Sequence, residues 1–457
     1  MKKECLPRIS QCMIVKNEEA NIRRALSWGR DIMWEQIVVD TGSTDRTIEL
    51  AKEMGAAVYH FSWIDDFAAA KNFACRQARG DWIAFLDADE YMDAENVERL
   101  AALLLKIHIE RLSYQVLITN WFNLDESGRV STGGNQARFF RNHQGLCYEG
   151  RIHECLTSKR KVLTPAEVLN ACDRLTIYHT GYQDQALAAG NKQERNRRLI
   201  RKELKDHPDD YVMMGYLADT YQSEKDWEHA IEWYEKAAEA LPSAGVKATG
   251  LSSRISDTFT SLLLLLIQEK RDAQQIQSVF ERAVRYVPQE SDFDYIMGRY
   301  LAGKGEYEQA AFHLERALKI LDTYGNLCCG ILLTGNLMQA QESLATCYFN
   351  MGRRDLCVNC CVRMLRAERF SMGGLKILLY AFQTDAKEAQ ATGRAAANGR
   401  QVLGFLGKLY DLTALKDRLF LWKAAGETEY EELILVLREY FSEQELALLE
   451  NSAGKEQ

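Results

Sequence analysis

Short apolar runs alternate with amphipathic stretches over the first 185 residues. Four of these runs have the length and composition of buried strands: RISQCMIV (8–15), EQIVVD (35–40), AAVYHF (56–61) and WIAFL (82–86). The stretches between them repeat apolar residues at helical spacing. Strands that alternate with helices are typical of a mainly parallel sheet with helices on both faces. We therefore predict an α/β domain over residues 1–185.

The helix after the second strand has recognisable end signals. Ser43 or Thr44 is expected to cap its first turn, and Gly55 is expected to close it. Asp40 and Asp87 both stand at strand ends. Ligands of open parallel sheets bind at the carboxyl ends of the strands, so both aspartates are candidate site residues.

From about residue 186 the apolar positions follow helical spacing. Large and small apolar residues recur on paired segments, first at Leu217, Ala218, Tyr221, Ala230, Tyr234, Ala237 and Pro242, with weaker copies at 263–288 (Leu264 included), 297–317 and 344–364. This spacing matches the tetratricopeptide template of two antiparallel helices per repeat. We predict a tetratricopeptide-like helical solenoid over 186–400 and capping helices over 401–457. An irregular helical bundle is the alternative.

Composition narrows the class of protein. The 457 residues carry a net charge of −8, which disfavours nucleic-acid binding through overall charge. No apolar run approaches the ~20 residues needed to span a membrane, and no secretory signal is recognisable, so a cytoplasmic location is expected. The 12 cysteines lack metal-like spacing, and we expect reduced thiols.

Three acidic residues, Asp87, Asp89 and Glu90, directly follow the strand WIAFL. If the strand continues, Asp87 and Asp89 project from the same face and can approach one cation. Oxygen ligands of this kind suit Mg²⁺ or Mn²⁺. A solvated acidic turn that caps a helix near Ala94 is the alternative.

Three motifs occur in a specific order: CMIVKNEEANIRRAL, IVVDTGSTDRTIELAKEMGA and DDFAAAKNFACRQARGDWIAFLDADE. Together they resemble family-two glycosyltransferases of the GT-A fold, and the resemblance covers about residues 8–185. It implies a domain that binds a nucleotide sugar.

The resemblance also implies roles on the donor side. It places Val15, Asn17 and Glu18 beside the nucleoside, and Asp40 where it accepts hydrogen bonds from a uracil or ribose. Helix capping is the alternative for Asp40. Asp87 is expected against the ribose or in the metal shell.

Four further residues have roles that the resemblance leaves more open. Lys71 stands where relatives more often have arginine; it either faces phosphate or is a solvated helix lysine. Asp66 either orients the sugar or caps the helix. Arg138 and Arg141, in RFFR, either face the diphosphate or pair with surface acids.

Residues on the acceptor side and in the metal shell come later in the chain. An inverting transferase needs a general base, and Glu154 in RIHE matches the position of the family's base. His153 is expected to support that base or bind the acceptor. Asp89 is expected to ligate the metal, with His179 of TIYHTGY completing the shell. The alternatives are an exposed Glu154, a packed His153 and a His179 that is simply hydrogen bonded.

These observations favour a metal-dependent, inverting glycosyltransferase that moves a hexose or N-acetylhexosamine from a UDP-sugar. The arrangement of catalytic and repeat halves resembles bacterial peptide glycosyltransferases of the sublancin S-glycosyltransferase type. That resemblance implies a cysteine or serine of a peptide as acceptor, recognised partly by the helical repeats, and dimerisation through those repeats stays open. An inactive repeat scaffold is the alternative. A nucleotidyltransferase is disfavoured because MIVKNEEA lacks a glycine-rich phosphate loop.

Overall fold

The computed structural model describes residues 7–159, 163–180, 186–241, 252–325 and 331–446. The chain divides into two compact units, Met1–Thr220 and Tyr221–Gln457. The division falls at Thr220, so residues 186–220, which the sequence pattern groups with the helical repeats, belong to the first unit.

The first unit is built around a twisted sheet. Its strands are β1 (Ile9–Val15), β2 (Glu35–Asp40), β3 (Ala57–His60), β4 (Trp82–Phe85), β5 (Glu90–Tyr91), β6 (Val116–Leu124), β7 (Val130–Arg141), β8 (Leu146–Glu149), β9 (Cys155–Ser158), β10 (Val168–Asn170) and β11 (Thr176–His179). The strand order is β3-β2-β1-β4-β7-β6-β11-β5, with β10 also on β6 and a separate β8–β9 hairpin. Strands β1 to β4 pair in parallel, and β7 runs antiparallel to β4 and β6. The predicted α/β class with a mainly parallel sheet is confirmed.

Helices cover this sheet, and apolar side chains fill the space between them. They are α1 (Ile22–Ser27), α2 (Thr47–Glu53), α3 (Phe67–Gln77) and α4 (Ala94–Ile109), followed by α5 (Ala186–Asp206) and α6 (Tyr211–Ser223). Strands β1 and β4 are almost completely buried, which explains their continuous apolar sequence.

The start of α2 differs from the expectation. The helix begins at Thr47, and its N-cap residue is Arg46 rather than Ser43 or Thr44. The preceding residues instead form a turn around Asp40, in which Gly42 adopts a φ of 112°. A side chain rarely adopts that conformation, so this glycine permits the turn. Gly55 (φ 84°) does close the helix, as predicted.

The second unit is helical. Its helices are α7 (Trp227–Glu239), α8 (Ser252–Gln268), α9 (Ala273–Tyr286), α10 (Ser291–Gly303), α11 (Tyr307–Tyr324), α12 (Ile331–Gly335), α13 (Leu337–Asn350), α14 (Arg354–Ala367), α15 (Met372–Thr392), α16 (Gly399–Leu406), α17 (Leu415–Glu427) and α18 (Glu431–Arg438). Successive helices pack against one another as hairpins, among them α10 with α11 and α13 with α14. This is the predicted tetratricopeptide-like arrangement.

The small and large positions of the repeats lie in the helix interfaces. A Cβ added to Gly298 on α10 would lie 2.7 Å from Leu314 Cγ on α11, so the glycine permits close approach of the two helices. On α14, Cys357 and Cys361 are buried free thiols. Leu264, which the sequence pattern included among the repeat positions, does not lie in a helix interface. It is 42% exposed, because α8 directs its other leucines inward.

Some expectations fall outside the described residues. Pro242 is one, and residues 447–457 of the expected capping segment are others.

All nine cysteines in the described ranges are free, as expected for reduced thiols. Among the helices that could be searched, none combines the length and apolar character needed to cross a membrane.

Candidate active site

The predicted site residues converge at one edge of the sheet. Asp40 ends β2, Asp87 follows β4, and His179 ends β11. Arg138 precedes Phe139 of β7, which pairs with Ala84 near the end of β4. Parallel strands expose their carboxyl ends at the same edge, and this edge is where open sheets bind ligands.

Asp40 organises the turn between β2 and α2. Its carboxylate is buried and accepts hydrogen bonds from the backbone N–H groups of Gly42 (3.0 Å) and Ser43 (3.0 Å). His60 Nδ1 lies 3.5 Å from the same carboxylate. The structure therefore gives Asp40 a turn-forming role and does not use it to cap α2.

The end of β1 is tied to that turn. Val15 is buried and pairs with Asp40 in the sheet. Asn17, at a φ of 57°, accepts a hydrogen bond from the Thr44 N–H (2.8 Å) through Oδ1 and donates its own N–H to Ser43 Oγ (2.9 Å). Burial raises the pKa of Glu18, whose carboxylate accepts from Asn21 Nδ2 at 3.0 Å. The two loops thus form one wall beside the sheet edge.

Lys71 lies at the centre of the site. It is 4% exposed on α3, and its Nζ is 2.7 Å from Glu154 Oε1 and 3.5 Å from Asp87 Oδ1. The rings of Phe85 and Tyr148 lie 5.0 and 5.3 Å from the same nitrogen. The alternative of a solvated lysine is therefore wrong. Burial alone would lower the pKa of Lys71, but Asp87 and Glu154 outweigh it and raise the pKa.

Arg138 contacts Asp87 from the side opposite Lys71. Its Nη2 lies 2.9 Å from Asp87 Oδ2 and also pairs with Glu90 Oε1, which accepts from Trp121 Nε1 at 2.8 Å. Burial tends to raise the pKa of Asp87, yet Lys71 and Arg138 hold it well below its usual range. Burial raises the pKa of Glu90 despite the same arginine. Alternating carboxylates and cations therefore run from Glu154 to Glu90.

The sequence argument for Asp87 and Asp89 assumed that the strand continues through both residues. The structure shows that it does not. Strand β4 ends at Phe85, and the following turn is closed by hydrogen bonds from Glu90 N to Asp87 O (3.0 Å) and from Asp87 N to Glu90 Oε2 (2.9 Å). Because the turn rotates the two side chains apart, Asp87 contacts Lys71 and Arg138, whereas Asp89 contacts His179.

Asp89 and His179 form the pair best suited to a divalent cation. His179 Nε2 lies 3.0 Å from Asp89 Oδ2, and Nδ1 lies 3.0 Å from Asn123 Oδ1. The Asn123 amide oxygen accepts from Nδ1–H, and this contact orients the ring so that Nε2 faces the Asp89 carboxylate. Ligands about 2.1 Å from an octahedral ion, at right angles to each other, lie about 3 Å apart. The pair therefore fits two neighbouring coordination positions.

The three expected metal ligands do not gather into one cluster. Among the residues the structure describes, no group of three or more His, Cys, Asp or Glu side chains is arranged to hold a metal ion. A cation would therefore complete its shell with oxygens from outside this chain, as Mg²⁺ and Mn²⁺ do with substrate phosphates.

Glu154 is carried by a tight loop on the other side of Lys71. The loop begins at Gly150 (φ 99°) and continues through His153, a non-glycine residue at a φ of 52°. The His153 ring stacks on Tyr216 of α6, with centroids 3.6 Å apart and planes inclined by 8°. The loop therefore points the Glu154 carboxylate at Lys71 and the His153 ring at the helix.

Two other expectations have clear outcomes. Asp66 caps α3, because its carboxylate accepts from the Ala69 N–H at 2.8 Å.

Arg141 does not face a diphosphate. It pairs with Trp82 at the beginning of β4, the opposite end from Asp87, and donates to the Tyr114 and Leu112 carbonyls. Arg141 is three positions after Arg138 in the strand, so the two side chains lie on opposite faces of the sheet.

Sequence reasoning missed several residues that shape the site. Glu90 was recognised as acidic but received no role, although LDADE placed it beside Asp87. No sequence signal indicated Trp121, Asn123 or Tyr148, because strand pairing and the β8–β9 hairpin bring them to the site from distant positions. Tyr216 was missed because its helix appeared to belong to the repeats.

Two segments of the chain match known protein families. Residues 10–147 match the family model for glycosyl transferase family 2, and residues 215–243 match a tetratricopeptide repeat model. Over residues 10–147 the chain is therefore similar to glycosyl transferase family 2. Most of the site residues lie within the matched segment; Glu154 and His179 follow it.

Similar proteins include one named for its repeats and others named as glycosyltransferases. The chain is 33% identical over 234 residues to a TPR repeat-containing protein of Synechococcus elongatus, covering 50% of this chain and 56% of that protein. It is 26% identical over 239 residues to the SPbeta prophage-derived glycosyltransferase SunS of Bacillus subtilis, covering 52% and 54%. An uncharacterized glycosyltransferase of Rickettsia typhi is 34% identical over 126 residues, covering 27% and 43%. The chain thus spans about half the length of the curated relatives it matches.

Solved structures give a weaker likeness. Staphylococcus aureus TarS 1–349, in complex with UDP-GlcNAc, aligns with a TM-score of 0.34 and 15% identity over 65% of this chain and 92% of that one.

Proposed function

We propose that this chain is a metal-dependent, inverting glycosyltransferase that transfers a hexose or N-acetylhexosamine from a UDP-sugar to an acceptor. One observation carries the proposal. Lys71 lies between Glu154 and Asp87 (2.7 and 3.5 Å), so a candidate base and a donor-side aspartate border the same buried cation. A structural role alone does not explain why a fold would bring these charges together at its ligand-binding edge.

Donor binding is assigned to the sheet edge. Asp89 and His179 would hold a divalent cation, which when bound supplies charge neutralisation to the departing diphosphate. Val15, Asn17, Glu18 and Asp40 form the nucleoside wall. Arg138 fixes the Asp87 carboxylate on the other side of the opening at 2.9 Å.

Glu154 is assigned as the general base. Because Lys71 contacts Oε1, the second carboxylate oxygen is left for the acceptor. The acceptor's O–H or S–H proton moves to that oxygen as the acceptor atom bonds to the anomeric carbon. The bond from that carbon to the diphosphate oxygen breaks, and the nucleotide diphosphate leaves with the electron pair. Attack from the side opposite the leaving group inverts the configuration.

The acceptor class is the least constrained part of the proposal. A cysteine or serine of a peptide follows from the resemblance to peptide S-glycosyltransferases and from the repeats, which bind protein partners in many solenoids.

The deciding experiment measures release of nucleotide diphosphate from a panel of UDP- and GDP-sugars, with Mn²⁺, with Mg²⁺ and with chelator. The native chain is compared with Asp89→Ala, Glu154→Gln and the control Arg8→Ala, whose exposed partner Asp81 lies at the opposite end of β4. We expect Asp89→Ala to abolish metal-dependent release. We expect Glu154→Gln to lower turnover by about 10²- to 10⁴-fold and to leave donor binding intact.

Two results would contradict the proposal. Turnover by the native chain that is insensitive to chelator removes the metal from the mechanism. No turnover and no binding of any nucleotide sugar would favour the inactive repeat scaffold.

A further inference from the structure

Helix α5 contacts the loop that leads into α3. Arg198 donates two hydrogen bonds to Asp65, from Nη1 to Oδ2 at 2.8 Å and from Nη2 to Oδ1 at 2.7 Å. The guanidinium of Arg195, on the same helix, lies 5.2 Å from the centroid of the Phe67 ring. Asp65 and Phe67 flank Asp66, the cap of the helix that carries Lys71. The planar, bidentate contact fixes direction as well as distance.

The same helix contacts the loop that carries Glu154. Arg151 Nε lies 3.1 Å from Glu203 Oε2, and its Nη2 lies 2.5 Å from Asp206 Oδ2. Glu203 and Asp206 are three residues apart and therefore neighbours on one face of α5. The Arg151 carbonyl accepts the Phe67 N–H at 2.9 Å, which joins this loop to the first one.

Helix α6 adds an aromatic contact two residues beyond Arg151. The His153–Tyr216 stack fixes the ring plane next to Glu154, at a residue whose φ of 52° is uncommon for a side chain other than glycine. A backbone in this region persists where surrounding contacts maintain it.

We infer that α5 and α6 are a working part of the transferase, in which Arg198, Arg151 and Tyr216 position the Glu154 loop and the start of α3. The inference rests on the proposed function and deepens it, because it makes the first helices beyond the sheet part of the acceptor side. The three residues act through the loops they contact and are positioning residues.

The energetics favour a local effect over a global one. Arg198 is 60% exposed at the side chain and Arg151 is 30% exposed, and partly exposed ion pairs contribute little to overall stability. A displaced catalytic group, by contrast, lowers turnover steeply, because a shift of about 1 Å can cost up to a hundredfold in rate. Loss of these contacts is therefore expected to reduce turnover while the fold persists.

The test uses point variants in the full chain: Arg151→Ala, Arg198→Ala, Tyr216→Ala and Tyr216→Phe. Arg8→Ala is the control, because Arg8 makes a comparable contact with Asp81 at the other end of the sheet. Hydrogen exchange of the backbone amides is measured for residues 150–155 and for Phe67. The kcat and KM for the UDP-sugar are measured from nucleotide release.

We expect Arg151→Ala and Arg198→Ala to increase exchange in these segments about fivefold and to lower kcat about tenfold or more, with the donor KM unchanged. Tyr216→Phe keeps the ring and is expected to retain the kcat that Tyr216→Ala loses. Exchange equal to that of Arg8→Ala, or faster exchange with unchanged kcat, would overturn the inference. If the native chain shows no turnover, the proposed function fails, and the exchange data still decide whether α5 fastens the loops.

Discussion

Buried charges serve different purposes in the two units. In the second unit each buried acid meets groups of the helices around it. Asp292 accepts the backbone N–H groups of Leu332 (3.0 Å) and Leu333 (2.8 Å), and Asp294 pairs with His313 Nδ1 at 2.7 Å. In the first unit, Asp87 and Glu154 instead share the buried cation Lys71.

The difference separates a structural use of charge from a chemical one. A carboxylate bonded to backbone N–H groups of a short helix fixes that helix in place and has one function. A carboxylate that faces a cation at the edge of a sheet, with side-chain exposures of 37% for Asp87 and 24% for Asp89, can exchange its partner when a ligand enters. Buried charge therefore indicates chemistry only where the fold also leaves an opening.

Replacing Lys71 tests that distinction most strongly. Lys71→Met removes the cation and leaves Asp87 and Glu154 close together, and breaking a buried pair in this way costs about 3–5 kcal/mol. We expect the first unit to unfold at lower urea concentration, with the second unit unaffected. Pulse-labelling hydrogen exchange along a urea titration reads the two transitions separately.

The matched control is Arg400→Ala, which removes an exposed pair with Glu439 (2.8 Å) in the second unit. Its expected cost is about 1 kcal/mol or less. Equal costs for the two variants would contradict the view that the Lys71 charges are buried and interdependent.

Much of the first unit could be predicted because its sequence carries strong local signals. The runs that became β1, β2 and β4 are continuously apolar, and the ordered motifs around Asp40 and Asp87 carried the family resemblance. The start of α2 could not be predicted, because residues of the loop after β1 compete for the groups that would cap it: Ser43 Oγ accepts the Asn17 N–H, and the Arg46 N–H donates to Glu19 Oε2. That competition depends on the position of β2 in the sheet.

The site itself was predicted as a list of residues but not as an arrangement. The sequence pattern placed Asp40 and Asp87 at strand ends, as the structure has them. It could not show that Lys71 lies between two carboxylates, because those carboxylates are 16 and 83 residues away in sequence. Arg141 pairs with Trp82 at the beginning of β4, away from the site, because β7 runs antiparallel to β4. The sequence did not reveal that direction.

The next test uses the pH dependence of the stability of the second unit, which the Asp292 carboxyl group controls. Burial, with smaller contributions from Glu290 and Asp257, raises the pKa of Asp292 to about 6, although the hydrogen bonds from the Leu332 and Leu333 N–H groups act in the opposite direction. In the unfolded chain the pKa is about 3.9. Between these values the folded state binds a proton that the unfolded state lacks, so the free energy of unfolding falls as pH rises from about 4 to about 6.

Asp292→Asn is expected to remove this contribution, which is on the order of 2 kcal/mol. Urea unfolding of the second unit is compared at pH 4.5 and 7.5 in both chains. The native chain should gain stability relative to Asp292→Asn at the lower pH. A relative gain at the higher pH would show that the carboxylate stabilises the fold through its charge.

The smallest effect concerns packing without charge. Gly298→Ala places a Cβ 2.7 Å from Leu314 Cγ and 3.1 Å from the Leu314 backbone nitrogen, so α10 and α11 must separate. Overpacking of this kind costs about 1–3 kcal/mol, partly offset by up to about 1 kcal/mol of improved helix propensity. Gly303→Ala, on the same helix with nothing within 4 Å of the new Cβ, is the control and should be neutral or slightly stabilising. If both variants shift the urea midpoint of the second unit equally, helix propensity and not close packing explains the glycine. The repeats would then depend on local helix formation more than on the interface that their pattern of small residues predicts.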